Sequence, residues 1–308
     1  MRVAITGATG LLGSHLANNF LKDGHQVFAL IKDETSKSVL SANVTKVYGD
    51  MTNKGDVEYF IQKSNPTHFI HLAAQTQAYD SLKYPYQTFY NNLVGTLNVL
   101  ECLREFQYTN SIIVASSDKA YGELTEDEYL ENHRLNGIYP YDASKSSTDI
   151  IANSYRITYS MPIVVTRACN IYGIGDLNRQ RLIPGIVNSF LEGRDFIIRN
   201  GGLDIREYIN VNDVVAAYRA IIDYQELNGK EFAFNISSGH RFSTQEVFDA
   251  VQEKVGKSIP FKMQSKLTLE IRQQFMNSTL LRTTTGWLPK VEFKESLTEI
   301  VPWYIENL

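Results

Sequence analysis

Tyr141 and Lys145 stand four residues apart in Tyr141-Asp142-Ala143-Ser144-Lys145, a spacing that puts a phenol and an ammonium on one face of a helix. A free tyrosine ionises near pH 10, about three units too high for a base at neutral pH. A neighbouring ammonium favours the phenolate, so the pair is expected to hold a phenol acidic enough to take a proton. Tyr-x-x-x-Lys also arises by chance, so its weight depends on its surroundings. Upstream, an apolar run ends in Ser116-Ser117-Asp118-Lys119. Ser117 suits holding a substrate hydroxyl for deprotonation by Tyr141, and Asp118 and Lys119 are two further groups able to move protons. A surface ion pair would account equally for two adjacent opposite charges.

Near the N-terminus, Gly7-Ala8-Thr9-Gly10-Leu11-Leu12-Gly13 separates an apolar run from an amphipathic one. Small residues here let the backbone turn tightly beside a pyrophosphate, and a following helix offers free N–H groups and partial positive charge. The first gap is one residue longer than in the usual dinucleotide fingerprint. A plain turn before a helix uses the same glycines. Position decides: the motif follows the first strand of a strand–helix alternation and precedes the Tyr141/Lys145 pair. Gly7, Thr9, Gly10, Leu11, Leu12 and Gly13 are therefore expected to cradle NAD(P), whose positive nicotinamide ring would also favour the Tyr141 phenolate.

The second apolar run ends Phe28-Ala29-Leu30-Ile31-Lys32-Asp33. A carboxylate at this tip would hold the adenine ribose and repel a 2′-phosphate. Ile31 and Lys32 stand there instead, which leans toward NADP and leaves NAD open through Asp33. Asp50, followed by Met51, closes the third run and could accept from the adenine amino group, or cap the next helix. The fourth run ends His71-Leu72-Ala73-Ala74-Gln75. Leu72, Ala73 and Ala74 would let a flat cofactor lie near the backbone, with Gln75 toward the substrate.

Strands are expected at Arg2–Thr6, Gln26–Ile31, Thr45–Tyr48, His68–Leu72, Ser111–Ser116 and Ile163–Arg167, with helices near Leu11–Lys22, Lys54–Ser64, Gln87–Phe106 and Asp142–Tyr159. That alternation specifies an α/β fold with a doubly wound parallel sheet. The early strands lack strict alternation, as expected when both faces are covered. Past residue 168 the alternation breaks. Residues 1–167 are thus assigned to a dinucleotide domain and 168–308 mainly to a smaller substrate region, some segments of which could return to the sheet. Arg181–Leu191 and Asp213–Tyr224 read as helices there, and Phe232–Ile236 and Ile259–Phe261 as strands.

Composition sets the bounds. The 308 residues are 43% hydrophobic and 21% charged, with a formal net charge of −4, which suits a folded globular chain and gives no reason to expect nucleic acid. Cys102 and Cys169 make no disulfide framework, and six scattered histidines have no metal-ligand spacing. The absence of a leader pattern or of about 20 successive apolar residues points to a cytoplasmic protein off the membrane.

Together these residues resemble the extended short-chain dehydrogenase/reductase family, in the branch acting on sugar nucleotides. The resemblance rests on Gly7/Gly10/Gly13, His71-Leu72-Ala73-Ala74, Asn92-Leu93-Val94-Gly95-Thr96, Tyr141/Lys145 and Arg167-Ala168-Cys169-Asn170-Ile171-Tyr172-Gly173. Arg206-Glu207-Tyr208-Ile209-Asn210-Val211-Asn212-Asp213 and Thr285-Gly286-Trp287-Leu288-Pro289 extend it along nearly the whole chain. It implies a Rossmann domain carrying the dinucleotide, with Asn92 among its contacts, and a C-terminal region over the sugar nucleotide. It implies that Ser117, Tyr141 and Lys145 are catalytic, that Asn170 meets the pyrophosphate and that Arg206 pairs with phosphate or ribose. Arg179 and Arg181 lie in a loop that could reach the phosphates. Ser117-Asp118-Lys119 is similar to the CDP-glucose type of 4,6-dehydratase, with Asp118 and Lys119 then catalytic. A 4-epimerase, a 4-keto reductase or a dinucleotide-binding sensor without turnover are the alternatives. The resemblance also implies a homodimer pairing the Gln87–Phe106 and Tyr141 helices.

Overall fold

The structure, a computed structural model, describes residues 1–33, 38–107, 109–123, 127–227, 229–264 and 271–308. Its first half alternates strands β1 (Arg2–Thr6), β2 (Gln26–Ile31), β3 (Thr45–Tyr48), β4 (His68–His71), β5 (Ser111–Ala115) and β6 (Ile163–Ala168) with helices α1 (Leu11–Lys22) and α2 (Lys54–Ser64). Helices α3 (Ala78–Lys83), α4 (Pro85–Phe89), α5 (Gly95–Phe106) and α6 (Pro140–Tyr159) follow within the same half. The six strands match the apolar runs to within a residue. The expected single helix over Gln87–Phe106 is instead α4 and α5 joined by a π-helical turn at Tyr90–Val94.

The second half contributes β7 (Asn170–Tyr172), α7 (Leu182–Glu192), β8 (Phe196–Arg199), β9 (Ile205–Asn210), α8 (Val211–Glu226) and β10 (Ala233–Ile236). Strands β11 (Arg241–Ser243), β12 (Phe261–Gln264) and β13 (Gln273–Gln274) and helices α9 (Thr244–Val255), α10 (Thr279–Thr285) and α11 (Phe293–Asn307) complete it. Strand order in the main sheet is β10-β6-β5-β4-β1-β2-β3, and each of its pairings is parallel. A strand order that reverses between β1 and β4 opens a crevice at their C-terminal ends, where open sheets bind ligands.

Both faces of this sheet are covered. Val3 and Ile5 share a core with Phe20 of α1 and Tyr218 of α8, while Ala4 faces Phe60 of α2 and Leu103 of α5. The period of two follows from side chains alternating across a strand. Strand β10 pairs with β6 and α8 buries Val214, Tyr218 and Ile221 against the sheet, so residues 211–236 return to the first layer across the expected boundary at 168. The remaining C-terminal elements pack around their own core, with Phe248 of α9 and Phe293, Leu297 and Tyr304 of α11. Strand β9 pairs with β7, β11 and β13 in a second, smaller sheet. Among the described residues no helix is long and apolar enough to cross a membrane.

Candidate active site

A cleft of about 650 Å³ runs over the C-terminal ends of β1, β2, β4 and β5 and under β7 and α7. Its floor is the glycine turn. Gly7 holds a φ of +73°, and a Cβ there would lie 2.7 Å from the Ala73 nitrogen. At Gly13 a Cβ would lie 2.2 Å from the Gly7 carbonyl oxygen. Gly10 caps α1 with no side-chain acceptor on the helix N–H groups, and the first turn carries no acidic residue. The uncapped, partly positive helix end suits a pyrophosphate, and Thr9, Leu11 and Leu12 line the cleft around it. A cradle that any side chain would fill fits a dinucleotide.

At the adenine end, Lys32 and Asp50 both line the cleft and pair at 2.8 Å. Partial burial works to raise the Asp50 pKa, but hydrogen bonds from Lys32 and from the Thr52 amide and hydroxyl bring it below the usual carboxylate value. Met51, Leu72, Ala73, Ala74 and Gln75 continue the wall. His71, one residue before Leu72, stays out of the cleft. Its ring lies between the hydroxyls of Thr6 (2.7 Å) and Thr96 (3.2 Å), and burial drives its pKa down to about 3.

The expected role of Asn92 changes. Its amide accepts from the Gln75 backbone N–H at 2.8 Å and donates to the Gln75 carbonyl at 3.2 Å and to Ser144 Oγ at 2.9 Å. Asn92 is buried and clasps the Gln75 loop to α6, while its neighbour Asn91 lines the cleft. Both asparagines lie on the π turn Tyr90–Val94, whose extra residue rotates side chains out of the α-helical register.

Helix α6 carries Tyr141, Lys145 and Asp149 at successive four-residue steps, all buried. Pro140 in its first turn, where no backbone N–H is needed, helps start the helix. Arg167 of β6 grips Asp149 with two bonds of 2.8 and 2.9 Å and also donates to the Tyr121 hydroxyl at 2.7 Å, locking the helix onto the sheet. The Lys145 ammonium donates to the Ala115 carbonyl at 2.8 Å. Burial lowers its pKa to about 8, against a raising influence from Asp149.

The expected acidification of Tyr141 by Lys145 is corrected here. Burial pushes the phenol above its ordinary value, a hydrogen bond with Ser117 opposes this, and the charges of Asp118 and Asp142 add to the rise. In the protein alone Tyr141 is a phenol.

Across from α6, Ser117, Asp118 and Lys119 enter the cleft on a 3-10 turn after β5. Ser117 donates to Asp118 at 2.8 Å, and the Lys119 ammonium lies 4.0 Å from Asp118 and donates to Gln274 at 2.6 Å. Gln274, on β13, comes from sequence that carried no motif; only the fold brings it here. Asn170 lines the cleft and donates to the Glu207 carbonyl at 3.0 Å. Arg181 lines it too, pairing with Asp176 at 3.1 Å. Burial raises the Asp176 pKa against the pull of Arg181. Tyr172 and Tyr208, absent from the expected site, line the same end.

Two expected phosphate ligands are not among the lining residues. Arg206 spends its guanidinium on the carbonyls of Ile205, Ile271 and Arg272. Arg179 bonds the Leu308 carbonyl and faces Glu192 at 3.7 Å. Both serve loops and termini in this arrangement. A sequence cannot show that backbone carbonyls have already taken a cation's donors.

Comparison with known proteins agrees with this geometry. Arabidopsis thaliana has a trifunctional UDP-glucose 4,6-dehydratase/UDP-4-keto-6-deoxy-D-glucose 3,5-epimerase/UDP-4-keto-L-rhamnose-reductase, RHM3. It is 25% identical over 319 residues that cover 99% of this chain and 47% of that protein; this chain thus spans about half its length. The human dTDP-D-glucose 4,6-dehydratase is 25% identical, covering 99% of this chain and 90% of its own. The structure of a Thermus thermophilus UDP-glucose 4-epimerase in complex with NAD is 27% identical, superposes with a TM-score of 0.90 and covers 100% of both chains. The profile of one family spans residues 3–237, the glycine turn, helix α6 and the seventh sheet strand included, and the chain belongs to that family, the NAD dependent epimerase/dehydratases.

Proposed function

We propose that this protein is a sugar-nucleotide 4,6-dehydratase, converting a nucleoside-diphosphate hexose to its 4-keto-6-deoxy derivative. The observation that carries the reading is the placement of Asp118 and Lys119 in the cleft beside Ser117 and across from Tyr141 and Lys145. Oxidation at C4 needs one base. Loss of water across C5 and C6 needs two more proton carriers, and this cleft has them. A bound NAD(P)+ supplies the hydride acceptor and returns the hydride later.

The glycine turn would hold the cofactor pyrophosphate, Ala73 and Ala74 its flat face, and Lys145 its ribose hydroxyls. Tyr141 takes the C4 hydroxyl proton. The new ketone acidifies the C5 proton, which Lys119 removes when it is the neutral amine, while Asp118 in its protonated form protonates the departing C6 hydroxyl. Gln274 holds Lys119 at the turn. Asn170 and Arg181 would meet the diphosphate. The β2 tip supports NADP+ as cofactor. Lys32, paired with Asp50, lines the main cleft there, and Lys46, Ser38 and Tyr48 line an adjoining hollow together with Asp33, whose carboxylate keeps NAD+ open.

A 4-epimerase is the second reading, favoured by the whole-length likeness to the Thermus thermophilus enzyme. In it Asp118 and Lys119 only position the sugar. Incubating the protein with CDP-, GDP-, UDP- and dTDP-hexoses and either cofactor decides between them. A 4-keto-6-deoxy product that disappears in Asp118→Ala/Lys119→Ala supports the dehydratase. A C4 epimer made at an undiminished rate by that double variant rules it out. We also read α5 and α6, with Leu97, Ile150, Ile157 and Tyr159 exposed, as the face of a homodimer. Sedimentation giving only a 35.0 kDa species would exclude it.

A further inference from the structure

In the run His71-Leu72-Ala73-Ala74 only the histidine is polar, and it is buried outside the cleft that the other three line. Counting protons fixes what its ring does. The Thr96 hydroxyl lies 2.6 Å from the Asn92 carbonyl oxygen, which can only accept, so its one proton is spent there. Thr96 therefore accepts from His71 Nε2 at 3.2 Å. A charged ring would donate from both nitrogens and leave the buried Thr6 proton without an acceptor among the described residues. The ring is thus neutral, as its burial also dictates, and its single N–H is at Nε2. The Thr6 hydroxyl donates to Nδ1 at 2.7 Å and accepts from the Ala73 amide N–H at 3.3 Å.

The count closes on the far side as well. Asn92 Oδ1 accepts from the Gln75 N–H at 2.8 Å, so the amide nitrogen is the end that donates to Ser144 Oγ at 2.9 Å. Ser144 gives its own proton to the Tyr141 carbonyl at 2.7 Å. Thr6, His71, Thr96, Asn92 and Ser144 are each 3% exposed or less, so water does not substitute for any of these bonds. One buried network therefore joins the end of β1, beside Gly7, and the Ala73–Gln75 wall to the first turn of α6.

We propose that His71, as the neutral ring with its proton on Nε2, is a positioning residue: it sets the Ala73–Gln75 wall of the cofactor groove against Tyr141 by joining Thr6 to Thr96. This role needs only hydride transfer at C4, the step common to the dehydratase and the epimerase reading above. Removing the ring leaves the Thr6 hydroxyl buried without an acceptor, which is unfavourable until it turns away and releases the Ala73 amide. The wall then loosens while the glycine turn and the Tyr141 side chain keep their composition. An amide side chain offers both a donor and an acceptor, so glutamine at position 71 can bridge the two threonines.

Ligand-free protein labelled with 15N-histidine tests the ring, the His71 signals being assigned by their loss in His71→Gln. At pH 7 we expect a neutral ring protonated at Nε2; a proton on Nδ1, or on both nitrogens, overturns the assignment. Hydrogen exchange in the same ligand-free protein follows the wall. The Ala73 and Gln75 N–H groups should exchange at least about tenfold faster in His71→Leu than in wild type or His71→Gln. With cofactor and sugar nucleotide added, appearance of reduced cofactor should slow about 10- to 10²-fold in His71→Leu. It should return to within about threefold in His71→Gln, both ligands binding each variant within about threefold of wild type. Equal impairment of the two variants, or affinities that fall as far as the rate, overturns the role. Should His71→Leu not fold, Thr96→Val against Thr96→Ser gives the same comparison at the other end of the ring. Absence of reduced cofactor with every sugar nucleotide would overturn C4 oxidation and its positioning together, whereas the ring and exchange results judge the placement of His71 before any ligand is added.

Discussion

The Lys145 ammonium donates to the Ala115 carbonyl at 2.8 Å, tying helix α6 to the last residue of β5. That bond, and not an approach to the phenol, orients the lysine. Burial brings its pKa down to about 8, so it is charged below that pH and loses its proton as the pH rises through it. If the ammonium holds the cofactor ribose, dinucleotide affinity should fall above about pH 8. Lys145→Arg keeps its charge and should show no such fall. Titrating cofactor by fluorescence from pH 6.5 to 9.5 checks this, and equal profiles for both proteins would count against the role.

Tyr141→Phe keeps the ring and removes the oxygen proposed to accept the C4 proton. Turnover should drop by about 10²- to 10⁴-fold, the usual worth of a general base. Affinity for sugar nucleotide should stay within about threefold, since only one hydroxyl of a large ligand is affected. Calorimetric binding with parallel rate measurements separates these. A variant that turns over normally would mean that another group takes the proton.

Gly13→Ala places a methyl 2.2 Å from the Gly7 oxygen and 2.7 Å from the Ala8 Cα, both backbone atoms that cannot swing aside. The glycine turn must open. Cofactor affinity should fall more than tenfold while circular dichroism stays that of a folded protein. Unchanged affinity would show that the pyrophosphate sits elsewhere.

Arg167 and Asp149 form a buried ion pair with side chains 4% and 1% exposed. Asp149→Ala leaves the guanidinium buried and unpaired, at a cost of about 3–5 kcal/mol. Urea denaturation should show it, and adding Arg167→Met should recover much of the loss. A double variant no more stable than Asp149→Ala would mean that the pair is not what holds α6 in place.

The sequence made β1 to β6 legible because each is a short apolar run bounded by turn residues and buried on both faces. It made the glycine turn before α1 legible because its glycines answer a local backbone demand that survives in any tertiary setting. Residues whose role depends on what folds against them were another matter. Asn92, which the resemblance placed among the cofactor contacts, clasps the Gln75 loop from a π turn while Asn91 faces the cleft. Arg206 looks like an anion ligand until the carbonyls of Ile271 and Arg272 are seen on it. Gln274 reaches Lys119 across 155 residues of sequence. The protonation of Tyr141 was not legible: spacing suggests a nearby ammonium, but only the fold shows the burial that raises its pKa.

Oxidation at C4 followed by loss of the C5 proton inside this cleft is the chemistry that defines the proposed dehydratase. Conversion of a sugar nucleotide in heavy water, with the product examined by mass spectrometry and proton NMR, tests it most directly. We predict a 4-keto-6-deoxy sugar with one deuterium at C5, no oxygen at C6 and no net consumption of cofactor. A product that keeps its C6 oxygen, or carries no deuterium at C5, would contradict the account.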